Sequence, residues 1–219
     1  MKPLLIRHKN YWTNKEFVFD VILALILLLA SFFANFYAGI YATEKASNPV
    51  TDIILDNIPV YDVDMIFIYG PLFLWAIVTA LCLREPKRIP FVIQSIALFV
   101  LVRSVFISLT HIGPFPDMIS IDYASTAIKN FTFGGDLFFS AHTGLPYLMA
   151  LLFWKNIRLR IFFIAMAIIF GIVVLMGHLH YSIDVLAAFF ITYSIFIMAQ
   201  NLFPKGWRFF HSGLSGDGL

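Results

Sequence analysis

Six long runs of apolar residues, separated by short polar stretches, follow one another along this chain. They span residues 17–41, 65–83, 89–111, 137–154, 161–177 and 181–203. A helix needs about 20 consecutive apolar residues to cross the hydrocarbon core of a bilayer. The first run is too long for the core of a signal peptide and lacks a convincing cleavage site. The pattern therefore predicts an all-α, polytopic membrane protein built as a six-transmembrane-helix bundle.

The composition excludes a water-soluble globule. Of the 219 residues, 60% are hydrophobic and 13% are charged, with a mean hydropathy of +0.85, whereas soluble domains carry about 25% charged residues. The length suggests one membrane domain, residues 17–203, between an N-terminal segment, 1–16, and a tail, 204–219. A formal charge of +2 gives no reason to expect a nucleic-acid partner, and the single cysteine, Cys82, allows no internal disulfide.

The basic residues are distributed very unevenly between the two sides of the predicted bundle. Lys and Arg are concentrated in the N-terminal segment, in two turns at 84–88 and 155–160, and in the tail. The loops on the other side carry only Lys45 and Lys129. The positive-inside rule then predicts cytoplasmic termini. The loops at 43–64, 112–136 and 178–180 should face the periplasm, a lumen or the cell exterior.

Ionisable residues gather at the predicted outer ends of the spans. These residues are His111, Asp136, His142, His178, His180 and Asp184. Arg103 falls about two turns below the outer end of the third span. Polar groups inside a bilayer are costly and usually face a bundle interior or a cavity. The sequence therefore predicts a site at this membrane face.

The residue types suggest phosphorus chemistry. His180 and Asp184 are four residues apart, so on a helix they share one face and can touch. An Asp bound to one imidazole nitrogen fixes the tautomer and leaves the other nitrogen free as a nucleophile or base. A second histidine, His142, can protonate a leaving oxygen and then deprotonate an incoming hydroxyl. The planar fork of Arg103 can hold a phosphate oxygen, and residues 134–135, both glycine, can bring backbone amides to the same anion.

Each of these residues also has a plain structural interpretation. A lone interfacial histidine such as His111 or His178 is more often a belt or capping residue. Arg103 can snorkel outward, and Asp184 can cap the sixth helix. In the loop at 112–136, residues 117–130 can form a short helix on the membrane surface. The acids of the first outer loop are most simply a solvated face: Glu44, Asp52, Asp56, Asp62 and Asp64.

Two short motifs resemble the sphingomyelin synthase family, a branch of the membrane type 2 phosphatidic acid phosphatase (PAP2) superfamily. That family carries Gly-Asp-x-x-Phe-Ser-Gly-His-Thr and His-Tyr-Thr-x-Asp-Val. The matching positions here are Asp136, Phe139, Ser140, His142, Thr143, His180, Tyr181, Asp184 and Val185. Ala141 replaces a glycine and Ser182 replaces a threonine. Residues 49–56 and the segment from Arg103 to Pro114 carry weaker likenesses.

The resemblance covers roughly residues 17–200 and favours the synthase-like branch over plain phosphatases. The phosphatase branch has Lys-x6-Arg-Pro and an Arg six residues before the motif histidine. This chain lacks the first motif and has Val174 at the second position.

The resemblance implies a residue-by-residue mechanism. His180, oriented by Asp184, would attack the phosphorus of a phospholipid head group and form a phosphohistidine, while His142 serves the leaving and accepting oxygens. We expect Arg103, Asp136, Ser140, Thr143 and Tyr181 to bind the substrate.

The resemblance implies neither a metal nor an organic cofactor. The expected partners are phospholipids, ceramide or diacylglycerol as a further lipid substrate, and the bilayer itself. Self-association into a homo-oligomer stays open, as do the head group and the acceptor.

Other functions compete with this interpretation. A lipid phosphate phosphatase would use the same phosphohistidine chemistry with water as the acceptor. A non-enzymatic haem- or metal-binding membrane protein would instead make His178 and His180 the essential pair. Transport is a further alternative, although the two halves of the chain show little repeat symmetry.

Overall fold

A computed structural model describes residues 2–119 and 136–214, and this part of the chain is helical without a strand. Its α-helices are α1 (Lys2–Thr13), α2 (Lys15–Lys45), α3 (Asp64–Arg84), α4 (Ile89–Leu109), α5 (Ala141–Leu152), α6 (Ile157–Met176), α7 (Ser182–Leu202) and α8 (Pro204–Ser212). Short 3-10 helices occupy Leu55–Asn57 and Pro86–Arg88. The predicted all-α fold is confirmed for these residues.

Five of the described helices are long and apolar enough to cross a membrane: α2, α3, α4 with the 3-10 turn before it, α6 and α7. They coincide with five of the six apolar runs to within a few residues at each end. This finding is consistent with an integral membrane protein.

The fourth predicted span is much shorter than expected. Helix α5 has 12 residues, about 18 Å at 1.5 Å per residue, whereas the hydrocarbon core is about 30 Å thick. The Ser140 side chain caps its start, and Arg103 holds the backbone of Asp136 and Phe139 in a non-helical conformation. The count of described helices with membrane-spanning length is therefore five, not six.

The segment around α5 nevertheless joins the two ends of the bundle. At one end, the Ser140 backbone N–H donates to the Asp184 carbonyl at 3.2 Å. At the other, the Arg88 guanidinium lies 5.0 Å from the centre of the Phe153 ring. We call these the histidine end, where α3, α5 and α7 begin, and the basic end, where α1, α8 and the 3-10 turn Pro86–Arg88 lie.

Close packing around α5 depends on a glycine. A Cβ at Gly144 would lie 2.6 Å from the Phe99 ring and 2.9 Å from the Thr192 hydroxyl. The hydrogen side chain thus lets α4 and α7 approach α5 from two sides. Leu148 and Met149, farther along the same helix, are fully buried.

The tail contains a helix that the sequence analysis did not predict. Helix α8 packs at the basic end, and its Gly206 lies against the side chains of Asp20 and Gln94. Those two groups are buried and bonded, with Gln94 Nε2 donating to Asp20 Oδ1 at 3.1 Å. Nearly all of the expected surface helix at 117–130 lies outside the described residues.

We predict that Gly144→Ala destabilises the bundle by about 1–3 kcal/mol, because the added methyl group overpacks the junction of α4, α5 and α7. Unfolding in mixed micelles measures the loss. Adding Phe99→Leu should restore part of it, since the smaller side chain vacates the space. Strictly additive losses in the double variant would contradict this account.

Candidate active site

The two histidine motifs meet at the histidine end through backbone hydrogen bonding. The Ser140 N–H donates to the carbonyl of Asp184 at 3.2 Å, which joins the start of α5 to the first turn of α7. His142 lies two residues beyond this bond and His180 lies two residues before α7. A Cβ at Gly171 of α6 would lie 3.0 Å from Val185 and 3.4 Å from the Thr143 hydroxyl, so residues of both motifs also pack against the same glycine. The two motifs therefore meet at one end of the bundle.

His180 and Asp184 form the central pair of this site. Nδ1 of His180 lies 3.5 Å from Oδ2 of Asp184, an ion-pair contact longer than a normal hydrogen bond. Asp184 is fully buried and His180 is 7% exposed. His180 Nδ1 and Asp184 Oδ1 have no other hydrogen-bond partner in the described structure.

The His180–Asp184 pair does not form on one face of a helix, as the spacing of four residues predicted. His180 lies outside the helix, and Tyr181 is the N-cap residue of α7. Asp184 accepts the Tyr181 backbone N–H at 2.9 Å as part of a capping box. The carboxylate therefore combines the two interpretations made from sequence, because it caps the helix and lies beside the imidazole.

His142 faces an aromatic wall from α3. Its ring stacks on Phe67 with 4.1 Å between centroids, and its Nε2 lies 3.3 Å from the Phe67 carbonyl oxygen. His142 is half-buried. The second imidazole is thus placed by α3 and α5 together, and no pattern in residues 64–84 predicted the contribution of Phe67.

Arg103 holds the chain that leads into α5. Its Nε donates to the Phe139 carbonyl at 2.9 Å, and one terminal nitrogen donates to Asp136 Oδ2 at 3.1 Å. The other terminal nitrogen donates to the Asp136 carbonyl. The guanidinium is 6% exposed, so it is not a snorkelling side chain. Its predicted contact with phosphate stays a prediction, because protein groups occupy most of its donors here.

Three further residues predicted to bind substrate have protein partners in this structure. The Ser140 hydroxyl accepts the Thr143 backbone N–H at 3.4 Å, and both residues are fully buried. The Tyr181 hydroxyl donates to the Gly113 carbonyl at 2.8 Å and accepts the Val50 N–H at 3.2 Å. Their roles toward a substrate remain predictions. Residues 134–135 lie outside the described part of the chain.

His178 and His111 pack against aromatic rings. The His178 ring is buried, packs edge-on against Phe115 at 5.0 Å, and has no hydrogen-bond partner in the described structure. The His111 ring packs against Tyr41 at 5.5 Å. No three His, Cys, Asp or Glu side chains in residues 2–119 and 136–214 group as metal ligands.

An apolar cleft opens beside His142. It has a volume of about 70 Å³ and is bounded by residues of α3, α5 and α6: Pro71, Leu74, Trp75, Ala141, His142, Leu145, Pro146 and Phe170. His142 is its one ionisable residue. The cleft thus joins the His142 imidazole to an apolar surface.

Sequence reasoning also missed the role of Asp52. This residue is buried, and its carboxylate accepts the Ser182 backbone N–H at 2.7 Å. Burial raises the pKa of Asp52, but hydrogen bonds from Ser182 and from its own loop outweigh burial and hold the pKa below the usual value. Its interpretation as part of a solvated face is therefore wrong. A Pro-x-x-Asp pattern at 49–52 was the available signal.

A known protein family matches the stretch of chain that contains both histidine motifs. Residues 134–202, from the glycine pair through the end of α7, match the family model described as PAP2 superfamily C-terminal. The match supports the PAP2 superfamily. Members of this superfamily are typically phosphatases or phosphotransferases. A search of curated proteins found no match.

The contacts of Arg103 yield a stability prediction. Arg103→Met should lower the free energy of unfolding by about 3 kcal/mol, because it leaves the largely buried Asp136 carboxylate and two carbonyls without their donor. Arg158→Met, at an exposed position of the basic end, should change it by less than about 0.5 kcal/mol. Denaturation in mixed micelles tests this, and equal losses in both variants would refute it.

Proposed function

We propose that this protein is a sphingomyelin synthase-like phosphotransferase that moves a phospholipid head group through a phosphohistidine intermediate. The observation that carries the proposal is the junction of α5 and α7, where His180 contacts a buried Asp184 and Ser140, two residues before His142, donates to the Asp184 carbonyl. The family match over residues 134–202 supports lipid phosphatase or phosphotransferase chemistry.

The first half-reaction cleaves the donor lipid. The Nε2 lone pair of His180 attacks phosphorus, and the bond from phosphorus to the diacylglycerol oxygen breaks. The leaving oxygen takes that electron pair and receives a proton from His142. The Asp184 carboxylate stabilises the positive charge that develops on the His180 ring.

The second half-reaction reverses these roles. His142, now neutral, removes the proton from an acceptor hydroxyl such as that of ceramide. The oxygen attacks phosphorus, the P–N bond breaks, and its electron pair returns to His180. The same steps with water as the acceptor give a hydrolase, the second candidate, which the family match supports equally well.

The apolar cleft supports a lipid substrate. It meets the site at His142, and its walls come from Trp75, Leu145 and Phe170 among other apolar residues. A hydrocarbon chain placed there would leave its head group beside the imidazoles. Burial of each methylene contributes about 0.8 kcal/mol, so even a short contact matters for affinity.

The membrane arrangement completes the proposal. Residues 137–154, with the short helix α5, would form the sixth crossing, since they reach both ends of the bundle. The concentration of Lys and Arg at the basic end supports cytoplasmic termini, with the site facing periplasm, lumen or exterior. Residues 17–203 are then the catalytic membrane domain.

The deciding experiment supplies purified protein with labelled phosphatidylcholine, phosphatidylethanolamine or phosphatidic acid, with and without ceramide. A labelled phospho-lipid product supports transfer, and free phosphate or a freed head-group phosphate ester supports hydrolysis. Absence of all three products would overturn the proposal. An absorbance spectrum and a metal analysis of the same preparation test the haem- or metal-binding alternative.

We predict that His180→Ala lowers kcat/KM by about 10³-fold or more, and Asp184→Asn by roughly 10²-fold or more. His178→Asn should cost less than about tenfold in kcat/KM, since His178 does not contact the central pair. Asn also suits the left-handed backbone of that residue, with φ of 54°. Turnover of labelled lipid measures all three, and near-normal activity in the first two variants would refute the assignment.

The cleft predicts an effect that depends on chain length. Leu145→Trp should raise KM for a long-chain lipid roughly tenfold, because displacement of about two methylenes costs about 1.6 kcal/mol. A short-chain, water-soluble analogue with the same head group should change much less. Leu186→Trp, on an exposed position of α7, is the matched control. Equal effects on both substrates would argue against the cleft as the chain site.

A further inference from the structure

The loop between α2 and α3, residues 46–63, is hydrogen-bonded to the start of α7. Its central residue is Asp52, which is 6% exposed. Oδ2 of Asp52 accepts the Ser182 backbone N–H at 2.7 Å. Oδ1 accepts two backbone N–H groups of its own loop, those of Ile54 at 2.9 Å and Leu55 at 3.2 Å. Both carboxylate oxygens of Asp52 therefore accept hydrogen bonds from backbone N–H groups.

A second set of hydrogen bonds lies one residue earlier, at the N-cap of α7. The Tyr181 hydroxyl accepts the Val50 N–H and donates to the Gly113 carbonyl. The Gly113 N–H in turn donates to the Asn48 carbonyl at 3.2 Å. The loop thus contacts both residues that directly follow His180.

These contacts complete the N-terminal turn of α7. Backbone N–H groups in the first turn of a helix have no partner within the helix. Asp184 accepts that of Tyr181 from inside the turn, and Asp52 accepts that of Ser182 from the loop. The turn on which His180 and Asp184 meet is therefore held from two directions.

We infer that Asp52 is a positioning residue for phosphotransfer, which fixes the His180–Asp184 pair by holding the Ser182 backbone. The inference rests on the proposed function for its kinetic consequence. Asp52 acts on the pair only through Ser182 and its loop.

An amide cannot replace this carboxylate. Asn offers one acceptor oxygen, whereas Asp52 serves donors on two sides with two oxygens. An Asn at this position would turn its NH₂ group toward either Ser182 or the loop amides, so one side would lose its bond. Glu44 provides a matched comparison, because it is an exposed acid of the same outer side.

The test compares Asp52→Asn and Asp52→Ala with Glu44→Gln in the lipid turnover assay. We expect kcat to fall about tenfold or more in both Asp52 variants, since small displacements of reacting groups are costly. KM should stay within about twofold, because Asp52 adds alignment and not substrate binding. Glu44→Gln should leave both constants unchanged. Unchanged kcat in the Asp52 variants would overturn the inference.

Hydrogen–deuterium exchange of the peptide 178–186 supplies a readout that does not need activity. Asp52→Asn should speed exchange of this peptide at least about tenfold, with α4 and α6 unaffected and Glu44→Gln silent. Faster exchange throughout the bundle would mean general destabilisation and would overturn the positioning role. If wild-type protein turns over no lipid, the proposed function fails, and the exchange result alone decides whether Asp52 holds the turn.

Discussion

A carboxyl group removed from water must find its partners inside the protein, and Oδ2 of Asp184 finds them where α5 and α7 join. It accepts the Tyr181 N–H, lies beside the His180 ring, and offers its own carbonyl to Ser140. Burying an ionised group without such partners costs several kcal/mol. The side-chain and backbone contacts of Asp184 therefore define the start of α5 and α7 and the position of the His180 ring.

The local geometry follows from this constraint in both directions along the chain. Toward α5, Ser140 caps the helix and Arg103 holds the residues before it, so His142 begins from a fixed point. Toward the loop at 46–63, Asp52 accepts the Ser182 backbone N–H of α7, and the Tyr181 hydroxyl accepts the Val50 N–H of the loop. Four polar side chains thus anchor the backbone beside the two histidines, and the cleft forms the apolar side of His142.

Hydrophobic patterning predicted most of the fold, because a run of about 20 consecutive apolar residues is typical of a membrane-spanning helix. It overestimated the length of the helix at 137–154, because hydropathy cannot register that Arg103 binds two backbone carbonyls and that Ser140 starts the helix late. The motif residues His142, His180 and Asp184 were also identifiable from the sequence. The roles of Asp52 and Phe67 were not predicted, since they depend on contacts with Ser182 and His142 that lie far away in sequence. Helix α8 was missed because only nine residues carry its pattern.

Under the proposed function and membrane arrangement, the cleft beside His142 has a consequence for how a lipid substrate reaches the site. Its walls belong to helices α3, α5 and α6, two of which have membrane-spanning length. A molecule that reaches His142 by this route comes from the plane of the bilayer. The quantity that governs its occupancy is then the mole fraction of substrate among neighbouring lipids, and diluting the surface with inert detergent would slow the protein even at constant bulk concentration.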